Sequence, residues 1–273
     1  MNPSLMSLNL NPGFTQSIGK TGQLNLSPKR RTLMNIAKKT VLITGANRGI
    51  GRSLVQEALR RGAKRVYAGT RGALAIADER VTPLKLDVTS AEQIQWAVKE
   101  VDTLDVLINN AGIAPYDDLS RLDAIEQSLA VNFFGTYNVT RAFLPLLQRS
   151  KGAIVNNLSL VALAPLPLIP AYSISKAAVF NMTQSLRALL ASRGVTVHGV
   201  ILGPVDTDMN RGFEIPKAPP ESAAKGIFDG LENGEEDIFP DPVSQSIAEG
   251  WRNGVAKAFE KQFAGFVPQP VKA

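Results

Sequence analysis

From Lys39 onward, short β-branched runs alternate with longer stretches of helical period, the pattern of a parallel sheet covered on both faces. Thr40-Val-Leu-Ile43, Arg65-Val-Tyr-Ala68, Thr82–Leu86, Asp105-Val-Leu-Ile108, Gly152–Asn156 and Val195–Ile201 read as six strands, with Asp237-Ile-Phe239 as a seventh. Helices are expected through Arg60, over 90–100, along one long region from Leu119 to Leu147, over 172–192, near Ser222–Leu231, and as one closing helix from Val243 to Phe263. The link between the second and third strands is short for a crossover that carries a helix. These elements predict an α/β chain, a Rossmann-type, doubly wound and mainly parallel seven-stranded sheet in a single domain over residues 38–273.

Composition narrows the chemistry. The 273 residues contain no cysteine and one histidine, His198, so disulfides, Cys-ligated metals and a Ser–His triad are set aside. His198 sits in an apolar strand pattern and reads as a packed core residue. The net charge of +6 suggests a nucleic-acid binder until the charges are placed. Residues 1–39 hold Lys20, Lys29, Arg30, Arg31, Lys38 and Lys39 and no acid, and the remaining 24 basic residues balance 24 acidic ones. The body is formally neutral, so no basic groove for nucleic acid is expected. Residues 1–37 read as a basic extension, disordered or of the composition that targets an organelle. No run marks a secretory signal or a membrane span, which makes the cytoplasm the default location.

Candidate chemistry begins at the first turn. Thr44-Gly45-Ala46-Asn47-Arg48-Gly49-Ile50-Gly51 joins the first strand to the first helix. Glycines there let the backbone approach a pyrophosphate, and the helix N-terminus offers free N–H groups to the anion. An NAD site needs an acid at the end of the second strand, for the ribose hydroxyls. Here the strand ends Ala68-Gly69-Thr70-Arg71, so Arg71, with Arg48, is expected to pair with a 2′-phosphate and select NADP(H).

Tyr172 and Lys176, four residues apart on a predicted helix, fall on one face. A phenol with its ordinary pKa of about 10 is a poor acid/base at neutral pH. The neighbouring ammonium is expected to draw that value down. Ser159, just after the fifth strand, brings a hydroxyl to the sheet's carboxyl edge, where open α/β sheets bind ligands. Asn109-Asn110-Ala111-Gly112 closes the fourth strand at that edge. Asn132 is polar in an apolar helical stretch and predicts a kink or a proton-relay role.

In combination these motifs resemble the short-chain dehydrogenase/reductase family, in its single-domain form, over about residues 38–265. The likeness rests on Thr44-Gly-x-x-x-Gly-x-Gly51, Leu86-Asp-Val88, Asn109-Asn-Ala-Gly112, Asn132, Ser159 and Tyr172-x-x-x-Lys176. It implies an NADP(H)-dependent interconversion of a carbonyl and an alcohol. Tyr172 would be the acid/base, Lys176 would hold the nicotinamide ribose, Ser159 would polarise the substrate oxygen, and Asn132 would anchor a relay water. The cofactor would be held by Gly45, Asn47, Arg48, Gly49, Ile50, Gly51, Arg71, Asp87, Val88, Asn110, Ala111, Gly112, Val205 and Thr207. Asp87 would take the adenine amine and Thr207 the nicotinamide amide. The family's Pro-Gly after the sixth strand is Leu202-Gly203 here, which implies a looser seat for the nicotinamide.

The loop Leu160–Ala171 has no charged side chain, and Met209–Pro220 carries Phe213 and Ile215, so a lipophilic carbonyl or alcohol substrate is expected. The resemblance also implies a homodimer or homotetramer. The alternative from another class is a non-catalytic NADP-binding regulator. A sugar-nucleotide epimerase is disfavoured by the absence of an added substrate domain and by the spacing of the turn glycines.

Overall fold

A computed structural model describes residues 34–267; most of the basic extension lies outside these residues. Seven strands run in parallel: β1 Thr40–Thr44, β2 Arg65–Thr70, β3 Val81–Lys85, β4 Val106–Asn109, β5 Ala153–Asn157, β6 Thr196–Val200 and β7 Asp237–Ile238, in the spatial order β3-β2-β1-β4-β5-β6-β7. The order reverses between β1 and β4, and the crevice beyond their carboxyl ends is where a ligand fits in such a sheet.

The period-2 pattern explains the layers. Val41 and Ile43 of β1, Val106 and Ile108 of β4, and Ala153 and Val155 of β5 pack on one face, against helices α1 (Gly49–Arg60) and α6 (Pro220–Glu232). Leu42, Leu107 and Ile154 point to the other face, against α2 (Ala91–Glu100) and α4 (Thr136–Ser150). The long α5 (Pro170–Leu190) closes that side with Val179 and Phe180. A sheet buried on both faces needs continuous apolar strands, and the central strands supply them. Pro83 is confined to β3, the edge strand, where a missing N–H is tolerated.

Two expectations about helices are corrected, and a third reading, that the link after β2 is short for a helix, agrees with the structure. The single helix expected over 119–147 is α3 (Leu122–Ser128), a π-helical segment over Leu129–Gly135, and α4. The closing helix is two, α7 (Pro242–Arg252) and α8 (Val255–Phe263), parted at Asn253-Gly254. Asn and Gly are the residues that end helices, and a side chain at Gly254 would meet the Gly250 carbonyl at 2.8 Å. The link Arg71–Arg80 carries no helix at all. Ile36 is fully buried and its N–H donates to Glu232 Oε1 at 3.0 Å, so core packing reaches into the last residues read as extension.

His198 is 4% exposed, as a packed strand residue should be. Its Nδ1 lies 2.6 Å from the Glu235 carbonyl and its Nε2 2.9 Å from the Thr196 hydroxyl. Burial outweighs these contacts and pushes its pKa down to about 4.

Candidate active site

A cleft of about 1110 Å³ opens at the carboxyl edge of the sheet. One end is built on the turn after β1. Arg48 is the N-cap of α1 in extended conformation and makes no side-chain cap, and the first turn holds no acid. The first N–H groups of α1 therefore face the cleft without an intramolecular partner, which suits an anion. Close packing forces the glycines: a Cβ on Gly51 would stand 2.0 Å from the Gly45 carbonyl, and one on Gly45 2.9 Å from the Ala111 Cα. The Thr44 hydroxyl accepts from the N–H groups of Asn110 (2.9 Å) and Ala111 (3.0 Å), and Asn110 Nδ2 donates to the carbonyls of Thr44 and Gly45. Residues 66 positions apart thus fix one turn.

Beyond β2, Arg71 and Asp87 line the same cleft. Burial works to raise the Asp87 pKa, yet hydrogen bonds from Thr89 and the charge of Arg71 leave it lowered. A cation therefore stands at the end of β2, where no acid does. Arg48 lines the cleft too, but its guanidinium reaches across the mouth to Asp208 at 3.4 Å, an exposed ion pair.

Of the catalytic candidates, Tyr172 and Lys176 line the cleft floor, with Ser159 beside the phenol. Asp117, from the loop after β4, accepts from the Ala171 N–H at 3.1 Å and caps the start of α5. That start is at Pro170, two residues earlier than expected, and Tyr172 and Lys176 follow on the buried face. Tyr172 is 8% and Lys176 6% exposed, and the ammonium lies 5.6 Å from the phenol ring centroid. Lys176 Nζ donates to the Asn157 carbonyl at 2.6 Å. The expected lowering of the Tyr172 pKa is corrected. Burial raises it to about 12, with the Ser159 hydroxyl beside it opposing part of the rise. The same burial holds Lys176 down to about 8. Desolvation, and not the charge of the neighbouring ammonium, sets the direction of both shifts.

Asn132 sits in the π segment, behind the cleft wall. Its Oδ1 accepts from the Ile113 N–H and its Nδ2 donates to the Ile113 carbonyl, each at 2.9 Å, and Nδ2 donates to the Ser175 hydroxyl at 2.8 Å. The amide is committed to holding the loop after β4 and to Ser175, so its N–H donors are not free for a relay water. Val205 is 1% exposed, bridges to Ala218 and does not line the cleft, whereas Thr207 does. Leu202 does not leave its turn untied. The Leu202 carbonyl accepts from the Leu160 N–H at 2.9 Å, and the Gly203 N–H donates to Asp241, the cap of α7, at 2.8 Å.

The remaining expected positions, Asn47, Gly49, Ile50, Val88 and Gly112, all line the cleft. Sequence reasoning missed Asn157, Ile113, Tyr116 and Asp208, which line it as well. For Asn157 there was a signal, since two adjacent asparagines close an otherwise apolar strand. Tyr116 stacks on Phe213 with ring centroids 5.6 Å apart, joining the loop after β4 to the segment after β6. That pairing had no sequence signal.

Comparison with known proteins accords with this geometry. The family model for short chain dehydrogenases matches residues 39–217. Rat estradiol 17-beta-dehydrogenase 2 is 34% identical over 72% of this chain and 56% of its own length, so the chain spans little more than half of that relative. An 11-beta-hydroxysteroid dehydrogenase-like protein of Arabidopsis thaliana is 34% identical over 74% of this chain and 72% of its own. The 3-oxoacyl-[acyl-carrier-protein] reductase of Vibrio harveyi is 34% identical over 66% and 79%. A solved short chain dehydrogenase from Burkholderia cenocepacia, in complex with NADP, superposes with a TM-score of 0.77 at 36% identity, covering 86% of this chain and all of that one. A glycine-crowded turn at the sheet's switch point, a tyrosine and lysine one helical turn apart below it, and these matches together place the chain in the short-chain dehydrogenase family of oxidoreductases.

Proposed function

We propose that this protein is an NADP(H)-dependent oxidoreductase that interconverts a carbonyl and an alcohol on a lipophilic small molecule. The observation that carries the reading is the pairing of Tyr172 and Lys176 on the buried face of α5 at the floor of the cleft. The cleft fits the cofactor by its own chemistry: unpartnered N–H groups at the start of α1 for a pyrophosphate, and Arg71 for a 2′-phosphate. Thr207 lines the cleft beside Gly49 and is suited to the nicotinamide amide.

NADPH, when bound, supplies the hydride to the carbonyl carbon. Tyr172 gives its hydroxyl proton to the carbonyl oxygen, or takes it back from an alcohol. With its pKa pushed up to about 12, the phenol is protonated at neutral pH, the form that reduction needs. Ser159 stands beside the phenol, where a substrate oxygen can bond to both. Lys176 keeps two N–H donors beyond the one given to Asn157, which suits ribose hydroxyls.

Met209 and Tyr116, the latter stacked on Phe213, line the cleft and give it an apolar surface. The named steroid and 3-oxoacyl relatives act on substrates of compatible character. Turnover of Tyr172→Phe tests the reading. Loss of NADPH oxidation across a panel of lipophilic aldehydes and ketones, with NADPH binding retained, is the expected result. Turnover near the parent rate removes Tyr172 from the reaction, and NADPH binding with no turnover in the parent favours a regulator.

A further inference from the structure

Asn157, the last residue of β5, does two things at once. Its main-chain oxygen holds Lys176 Nζ at 2.6 Å, and its side-chain Nδ2 donates to Asn110 Oδ1 at 2.9 Å. The amide orientations follow from the network. Asn110 Nδ2 already serves the carbonyls of Thr44 and Gly45, so Asn110 Oδ1 faces Asn157 as an acceptor and Asn157 must present its NH₂. Asn157 Oδ1 is then left buried with no partner in the protein. A stranded buried acceptor is destabilising, and an apolar residue at a strand position 5% exposed avoids that cost.

Asn110 is wedged into the turn it serves. Its Nδ2 lies 2.7 Å from where a Cβ of Gly51 would stand and 3.2 Å from that of Gly45. Rotation of Asn110 therefore disturbs the turn directly. We propose that Asn157 is a positioning residue that registers the Lys176 ammonium against the Gly-rich turn, by clamping Asn110 with its side chain and Lys176 with its backbone. The strand carries an unsatisfied amide because the two halves of the cofactor cleft must be held at a fixed spacing. The inference rests on the NADP(H) reading above.

The test is Asn157→Val, which suits a strand and removes both the clamp and the stranded oxygen. The variant exchanges one unpaired acceptor, Asn157 Oδ1, for another, Asn110 Oδ1, so the thermal midpoint should be unchanged, while the Kd for NADPH, measured by fluorescence of the bound nicotinamide, rises about tenfold, the worth of one hydrogen bond. Asn157→Thr, whose hydroxyl can donate to Asn110, should recover most of the affinity. A Kd unchanged in Asn157→Val overturns the proposal. So does a loss of stability that accompanies the loss of affinity, or a variant that fails to fold, because either makes Asn157 a merely structural residue. Absence of NADPH binding by the parent protein sinks the cofactor reading instead, and the two failures are told apart by that control.

Discussion

Lys176 is held in the fold against its own electrostatics, and the size of that cost can be worked out. Burial lowers its pKa from 10.5 to about 8. At about 1.4 kcal/mol per unit, the difference is about 3 kcal/mol. Below pH 8 the ammonium is charged in both states and the full penalty weighs on the folded protein. Between pH 8 and 10.5 the unfolded chain keeps a proton that the folded protein has released, so stability rises with pH, by up to about 1.4 kcal/mol per unit. Lys176→Met removes this titration and little volume. At pH 7 alone the variant is not decisive, because its gain is offset by about 1–3 kcal/mol for the Asn157 carbonyl left without its donor. The slope decides, since constant terms cancel in it. Urea unfolding of both proteins at pH 7, 8, 9 and 10 should show the parent gaining about 2–3 kcal/mol on the variant across that range. Parallel curves would refute the reasoning and return Lys176 to an ordinary solvated lysine. The same variant should lose turnover, which would mark the ammonium as kept for chemistry at the expense of stability.

Arg71→Asp should lower the ratio of kcat/KM for NADPH over NADH at least tenfold, the worth of one charge-assisted phosphate contact; an unchanged ratio removes Arg71 from the phosphate site. Gly51→Ala should lower stability by about 1–3 kcal/mol and abolish NADPH binding, because its methyl would collide with the Gly45 carbonyl; a urea midpoint and Kd equal to the parent's would contradict this. His198 is the only histidine, so its ring resonance is unambiguous in NMR, and it should titrate at about 4. Between pH 6.5 and 4 the unfolded chain alone takes that proton, and stability should fall with pH by about 3 kcal/mol in all; titration near 6.5 would show the ring to be solvated.

The sequence by itself determined whatever depends on near neighbours in the chain. The continuous apolar runs within Thr40–Ile43 and Asp105–Ile108 require both strand faces to be buried, because successive side chains point to opposite sides. The turn glycines and the four-residue spacing of Tyr172 and Lys176 are equally local, and both were legible. Only the tertiary structure decided what is summed over distant parts. The sign of the Tyr172 shift belongs here, since desolvation depends on every residue that encloses the phenol, while the expectation counted one neighbour. So do the clamp from Asn157 to Asn110, 47 positions away, and the bridge from Val205 to Ala218. The π segment belongs with them, because the Asn132 amide bonds the backbone of Ile113 from a different element. Helical period along the chain cannot register a partner that only folding brings near.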